Sequence, residues 1–214
     1  MRSGVITAVH QCKRNKHRYE IYIEDELAFD VHEDILVKYS LLKGTEIDDS
    51  LYHEVLVAEE KHQAYLYALR YIGIRPRTKQ QVEKYIISKG YTQERAREAC
   101  DYCEQKGYLD DSAFARQWVQ ERLHNKPRGA YAIRYELQQK GVSKAIVEKA
   151  LQSINQEDEW QGAVHLAIKK VRGKTLPLDA KEEQRILSYL LRKGFRQATI
   201  MQIRQAIRSG TLLD

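Results

Sequence analysis

Four constellations in the 214-residue chain carry residue types that chemistry uses. Gly173-Lys174-Thr175 has the ending of a phosphate-binding loop. That loop needs a glycine five residues ahead of Gly173, where Ile168 stands, and a strand before it, where an amphipathic helix pattern runs. The tripeptide therefore reads as a basic loop. Cys100 and Cys103 have the spacing of a metal or redox pair, but a zinc site needs two further ligands and Cys12 is the only other cysteine. Both thiols extend the apolar stripe begun by Ala96, which makes them small core residues. Asp110-Asp111 has the composition of a general acid/base pair. A carboxylate at a helix start is favoured by the helix dipole, so Asp111 is expected as an N-cap. His10, Cys12 and His17 lack ligand spacing, and no Ser/His/Asp or Cys/His set stands out. The expectation is a protein with no catalytic residues, no metal and no cofactor.

The remaining chemistry is basic. Arg75-Pro76-Arg77 and Lys126-Pro127-Arg128 are two turns of one kind, and Lys174 opens a looser third that contains Pro177. Arg70, Arg122 and Arg134 lie close by on the flanking segments. A lone turn of this sort is a solvated loop. Recurrence at equivalent points suggests a stripe that faces phosphates, or acidic side chains along a filament.

The elements that carry these turns repeat. Lys89-Gly90-Tyr91, Lys140-Gly141-Val142 and Lys193-Gly194-Phe195 place their glycines 51 and 53 residues apart. The chain has three prolines, and Pro76, Pro127 and Pro177 precede those glycines by 14, 14 and 17 residues. Proline forbids helix continuation and glycine supplies a left-handed C-cap. Each unit therefore reads helix, proline turn, helix, glycine cap, helix. Helical stripes agree, the clearest being Trp160, Ala163, Val164, Ala167, Ile168 and Val171. Thr78 with Gln81 fits a capping box and Ser143 an N-cap. About 50 residues bury little surface alone, so neighbouring units must stack.

Residues 1–47 read differently. Residues 5–9, 19–23 and 27–31 are short β-rich runs that predict a three-stranded antiparallel meander, followed by a short helix near 32–40 and a stop at Gly44. The expected fold is mainly α: a tandem array of three three-helix repeats, elongated and curved, with a small N-terminal β-meander plus helix module. Its boundaries fall at 1–48 for the module, 49–63 for a connecting helix, and 64–110, 111–153 and 154–214 for the repeats. Residues 1–60 hold 7 basic and 13 acidic side chains, whereas the remainder holds 29 and 17, for an overall charge of +6. An acidic module joined to a basic body fits a polyanion or an acidic protein surface as partner. No apolar run long enough to span a membrane or serve as a signal peptide occurs, and the odd cysteine count disfavours a disulfide scaffold. A cytoplasmic monomer is expected.

The segments Gly73-Ile74-Arg75-Pro76-Arg77-Thr78, Gln105-Lys106-Gly107-Tyr108-Leu109-Asp110-Asp111, Lys126-Pro127-Arg128-Gly129 and Glu136-Leu137-Gln138-Gln139-Lys140-Gly141-Val142 closely resemble the RecX family of bacterial regulatory proteins. The likeness spans residues 64–210 and is strongest over 64–152. It implies a modulator, mostly an inhibitor, of the RecA recombinase, its ATPase and its coprotease activity, acting within DNA repair, homologous recombination and the SOS response. It also implies that such a protein lies in the groove of RecA filaments on single-stranded DNA and has no catalysis of its own. On that reading Arg70, Arg75, Arg77, Arg122, Lys126, Arg128, Arg134 and Lys174 form the partner- and DNA-binding set. The competing class is a stand-alone nucleic-acid-binding protein that uses helix-turn-helix-like repeats. No helix presents a dense Arg/Asn/Gln face for base readout. A purely structural adaptor would show neither interaction.

Overall fold

Short alternating runs with tight polar turns pair locally, and the first 47 residues do so. In the computed structural model, which describes residues 3–171, 173 and 175–213, strands β1 (Gly4–Gln11), β2 (Arg18–Ile23) and β3 (Glu26–His32) form the expected meander. Glu24 and Asp25 both adopt positive φ, which gives the two-residue hairpin whose twist matches its strands. A fourth strand, β4 (Glu46–Ile47), pairs with β1 and completes the order β3-β2-β1-β4. Two residues carry no readable alternation, so the sequence showed three strands where there are four. Helix α1 (Glu33–Lys38) covers the sheet, and Ile6, Ile21, Val31, Ile35, Leu41 and Val55 close a core of their own.

Helix α2 (Asp49–Ile74) runs without a break from that core into the next. Its first half supplies Val55 to the sheet. Its second half supplies Ala64 and Ala68 to a bundle with α3 (Lys79–Ile87) and α4 (Gln93–Gln105). Cys100 and Cys103 are buried there beside Val82 and Ile86, and burial pushes the Cys103 thiol up to about 11. A neutral, enclosed thiol packs as a small apolar group.

The other bundles repeat the pattern with α5 (Asp111–His124), α6 (Ala130–Gln139) and α7 (Lys144–Gln152), then α8 (Gln156–Val171), α9 (Ala180–Arg192) and α10 (Gln197–Ser209). Each encloses its own apolar cluster. Gly90, Gly141 and Gly194 all take the left-handed conformation that the Lys-Gly-X recurrence predicts. Thr78 and Gln81 exchange both capping-box hydrogen bonds, and the Ser143 hydroxyl accepts from Ile146 N. The Asp111 expectation is corrected: Asp110 caps α5 by accepting from Ala113 N. Asp111 instead accepts from Lys79 N, the first amide of α3, at 2.9 Å. The chain groups into two compact units, Met1–Arg75 with Val82–Leu109, and Pro76–Gln81 with Asp110–Asp214.

Within the second unit a joint occurs twice in the same form. Two residues after Pro76, Thr78 donates through its hydroxyl to the carbonyl of Lys140, at 2.5 Å. Two residues after Pro127, Gly129 donates through its backbone N–H to the carbonyl of Lys193, at 3.0 Å. The next amide in each case, Lys79 N or Ala130 N, meets a carboxylate from the following repeat's first helix, Asp111 or Glu159. Helix N-termini carry unpaired N–H groups and partial positive charge, so an incoming carboxylate satisfies both. Glu159 is almost wholly buried, accepts also from Arg196 N at the head of α10, and pairs with the Arg196 side chain. At α9 the acceptor is local: Asp179, the residue before the helix, caps Glu182 N.

A Cβ at position 129 would lie 2.1–2.2 Å from the backbone of Gly194 and Phe195, whereas one at Gly73 meets nothing. Gly129→Ala is therefore expected to destabilise the protein by about 1–3 kcal/mol in urea denaturation. Gly73→Ala is expected to be neutral or to stabilise by up to about 1 kcal/mol. Buried Glu183 accepts from Arg208 and Arg204, which hold its carboxyl below the usual range even though burial alone would raise it. A folded pKa below the unfolded one gives stability that is present above about pH 4.3 and lost as pH falls through the folded value. Glu183→Gln should cost about 1–2 kcal/mol at pH 7 and give a flatter acid limb when stability is followed against pH.

Candidate functional site

The basic residues singled out by sequence divide by what they touch. Arg70 is exposed on the second half of α2 and lines a cleft of about 680 Å³ that also holds His17, Arg18 and Asp30. Arg75 is exposed at the C-cap of α2, in extended backbone. Lys126 is exposed in the turn after α5. Among the described residues no carboxylate forms an ion pair with these three. Arg77 is half-buried in the segment that belongs with the second unit. Lys174 lies outside the described residues.

Three of the arginines are tied into the protein. Arg122 donates from Nε to Glu136 at 2.6 Å and lays its guanidinium 4.2 Å from the Trp118 ring centre. Trp118 Nε1 donates to the same Glu136 oxygen, and Lys140 Nζ lies 4.2 Å from the Trp118 ring. Trp118 thus meets two cations, an arrangement that the negative faces of an indole favour. Arg128 Nε approaches the other Glu136 oxygen at 3.7 Å, so Arg122 and Arg128 converge on one carboxylate. Arg134 pairs with Glu148 at 2.9 Å, both side chains more than a third exposed. An exposed pair of this kind contributes little and exchanges readily for an outside anion. The Arg122 contact is more enclosed and fixes α5 against α6.

The sequence reading missed two parts of this surface. Tyr131 and Tyr135 stand one turn apart on α6 and are both mostly exposed, off the Ile133 and Leu137 stripe that faces the core. Their i, i+4 spacing beside Arg128 and Arg134 was the available signal. In the third bundle a further group of cations lies on α9. Lys181, Arg185 and Arg192, with Lys170 from α8, surround a cleft of about 530 Å³ at Tyr189. Positions 181, 185 and 192 share one helical face, which a search confined to proline turns passes over. Lys170 and Lys193 both lie about 5 Å from the Tyr189 ring centre. Within the second unit these groups can hold anions and offer aromatic faces. No helix among the described residues is long and apolar enough to cross a membrane.

Four family profiles match in chain order. Residues 4–48 match the regulatory protein RecX N-terminal domain, and residues 64–103, 110–151 and 157–203 match the first, second and third RecX three-helix domains. A regulatory protein RecX of Bacillus cytotoxicus is 34% identical over 201 residues, 92% of this chain and 74% of that protein. One from Lactobacillus delbrueckii subsp. bulgaricus is 33% identical over 193 residues, 90% of this chain and 70% of that one. A crystal structure of regulatory protein RecX superposes with a TM-score of 0.78 at 26% identity, covering 94% of this chain and 98% of that one. A RecX structure from Lactobacillus salivarius shares the fold with a TM-score of 0.64, over 70% of this chain and 97% of that one. The chain belongs to the RecX family.

Removing Arg122 takes from Glu136 its shortest partner and from Trp118 one of its two cations, whereas Lys126 is exposed to solvent. Arg122→Ala should lower stability by about 1–2 kcal/mol and shift Trp118 fluorescence. Lys126→Ala should stay within about 0.5 kcal/mol of the parent in the same denaturation experiment.

Proposed function

We propose that this protein regulates a RecA recombinase by binding RecA filaments assembled on single-stranded DNA. It lies in the filament groove and mostly inhibits ATP hydrolysis, strand exchange and coprotease activity. Membership of a family of regulatory proteins is the observation that carries the reading. Exposed Arg70 and Arg75 in the first unit, and Lys126 with the cations of α9 in the second, supply the cations it requires. Guanidinium and ammonium groups without an internal anion meet carboxylates or phosphates by charge-assisted hydrogen bonds. Arg128 and Arg134 join them by exchanging weak internal pairs for external ones. Arg77 and Lys174 complete the set on sequence grounds, while Arg122 acts through its hold on Glu136 and Trp118. The protein works as a cytoplasmic monomer without a cofactor, and no catalytic step is assigned to it.

A second reading, a stand-alone nucleic-acid-binding protein, is favoured by Tyr131 and Tyr135. Exposed aromatics among cations are the usual platform for unpaired bases. The two readings separate by stoichiometry.

Titrating the protein into RecA hydrolysing ATP on single-stranded DNA should inhibit well before the protein is sufficient to cover the DNA. The Arg75→Glu, Lys126→Glu double variant should raise the concentration for half-inhibition by about tenfold or more, with unchanged thermal unfolding. Inhibition that begins only when the protein saturates the DNA, with a steep salt dependence and no RecA requirement for binding, would give first place to the nucleic-acid reading.

A further inference from the structure

His32, Asp34 and His62 bring three potential ligand atoms close together. His32 Nδ1 and His62 Nε2 are 3.2 Å apart, His32 Nδ1 and Asp34 Oδ2 3.4 Å, and His62 Nε2 and Asp34 Oδ2 3.3 Å. Nitrogen and oxygen ligands about 2.0–2.1 Å from a tetrahedral zinc ion are separated by about 3.3–3.4 Å, so the triangle already has the required edge. From this geometry we infer that the three side chains form a binding site for a divalent transition cation of the zinc class.

The hydrogen-bond inventory supports the assignment. Asp34 N donates to His32 Nδ1 at 3.2 Å, so that nitrogen is an acceptor and the ring proton sits on Nε2. A proton on His62 Nε2 can serve the His32 nitrogen or the Asp34 oxygen, and the contact between those two acceptors stays uncompensated. One cation satisfies all three atoms, and its bond to His32 replaces a long helix cap. Both rings are largely enclosed, with 13% and 16% of their side-chain surface exposed, whereas Asp34 is open at 65%. Asp34 and His62 border a cleft of about 860 Å³, which gives an ion a way in.

The scaffold holds the ligands independently of a metal. His32 N donates to Glu59 Oε2 at 2.8 Å, and Arg18 donates to Glu59 Oε1 at 2.7 Å. Glu59 and His62 are neighbours on α2, so the strand end that bears His32 is fixed to the helix that bears His62. Two imidazoles and one carboxylate select zinc, iron, cobalt or nickel over magnesium or calcium, which take oxygen ligands. Three protein ligands leave a fourth position for water or an outside group. A bound ion would tie the start of α1 to α2.

The reduced, metal-free full-length protein, titrated calorimetrically with Zn²⁺, should bind one ion per chain in a saturable step that excess Mg²⁺ does not displace. Asp34→Asn and His62→Gln should each weaken binding more than about tenfold. Asp34→Asn alters an exposed side chain, so its circular dichroism should match the parent. The exposed His165→Gln control should bind as the parent does. Absence of a saturable step overturns the site, as does binding that survives both substitutions or vanishes in Cys12→Ser instead.

Discussion

An α-helix cannot satisfy the N–H groups of its own first turn, and in this protein that constraint decides how repeats meet. The middle helix of a unit starts after a proline turn, where a side chain, water or another segment must accept from its leading amides. At α3 and α6 the acceptor comes from the following repeat, as Asp111 or Glu159. The same joint then uses the carbonyl next to the left-handed glycine, Lys140 or Lys193, to accept from the residue two positions after the proline. Proline, glycine and acid thus serve one contact. At α9 the cap is local, with Asp179 accepting from Glu182 N.

The two versions of the joint differ at one residue, and the difference has a steric cause. Thr78 caps with its hydroxyl and reaches Lys140 with the same oxygen. Position 129 has no space for a side chain, because Gly194 and Phe195 fill the volume a Cβ would need. The hydroxyl's role toward the carbonyl passes to a backbone N–H, and no side chain at 129 caps α6. The place that Asp111 has at Lys79 N is taken at Ala130 N by Glu159. Desolvating that carboxylate is costly unless it is paired, and Arg196 with two backbone amides provides the compensation. Glu59 with Arg18, and Glu183 with Arg204 and Arg208, solve the same problem elsewhere.

Pairing also sorts the chain's excess of positive charge. Arginines that meet a buried or half-buried glutamate are spent on architecture, as Arg122 is on Glu136. Arg70, Arg75 and Lys126 form no ion pair among the described residues, and on the proposed reading they are the cations that meet a partner. Net charge therefore overstates the surface on offer, and the acid that a neighbouring helix brings beside a basic residue determines its role. Helix α2 links the acidic sheet module to the first bundle through one uninterrupted backbone, so the change in charge along the sequence does not coincide with a break in structure.

What the sequence determined by itself was periodic and local. Three proline-glycine spacings revealed three helical units, alternation revealed β1 to β3, and a stripe through Ala96 placed Cys100 and Cys103 in a core. Those features depend on backbone preferences and on the 3.6- and 2-residue periods, which neighbours in sequence express. The RecX likeness was legible for the same reason, since its turns keep their order and spacing. Tertiary structure alone decided which acid caps which helix, because Asp111 and Asp110 are equivalent as helix-start residues until Lys79 N arrives beside one of them. It alone buried Glu159, which sits among the acidic residues of a helix start and reads as solvated. It alone brought His62 to His32 and Asp34, since a side-chain cluster needs proximity in space and a 30-residue separation in sequence encodes none.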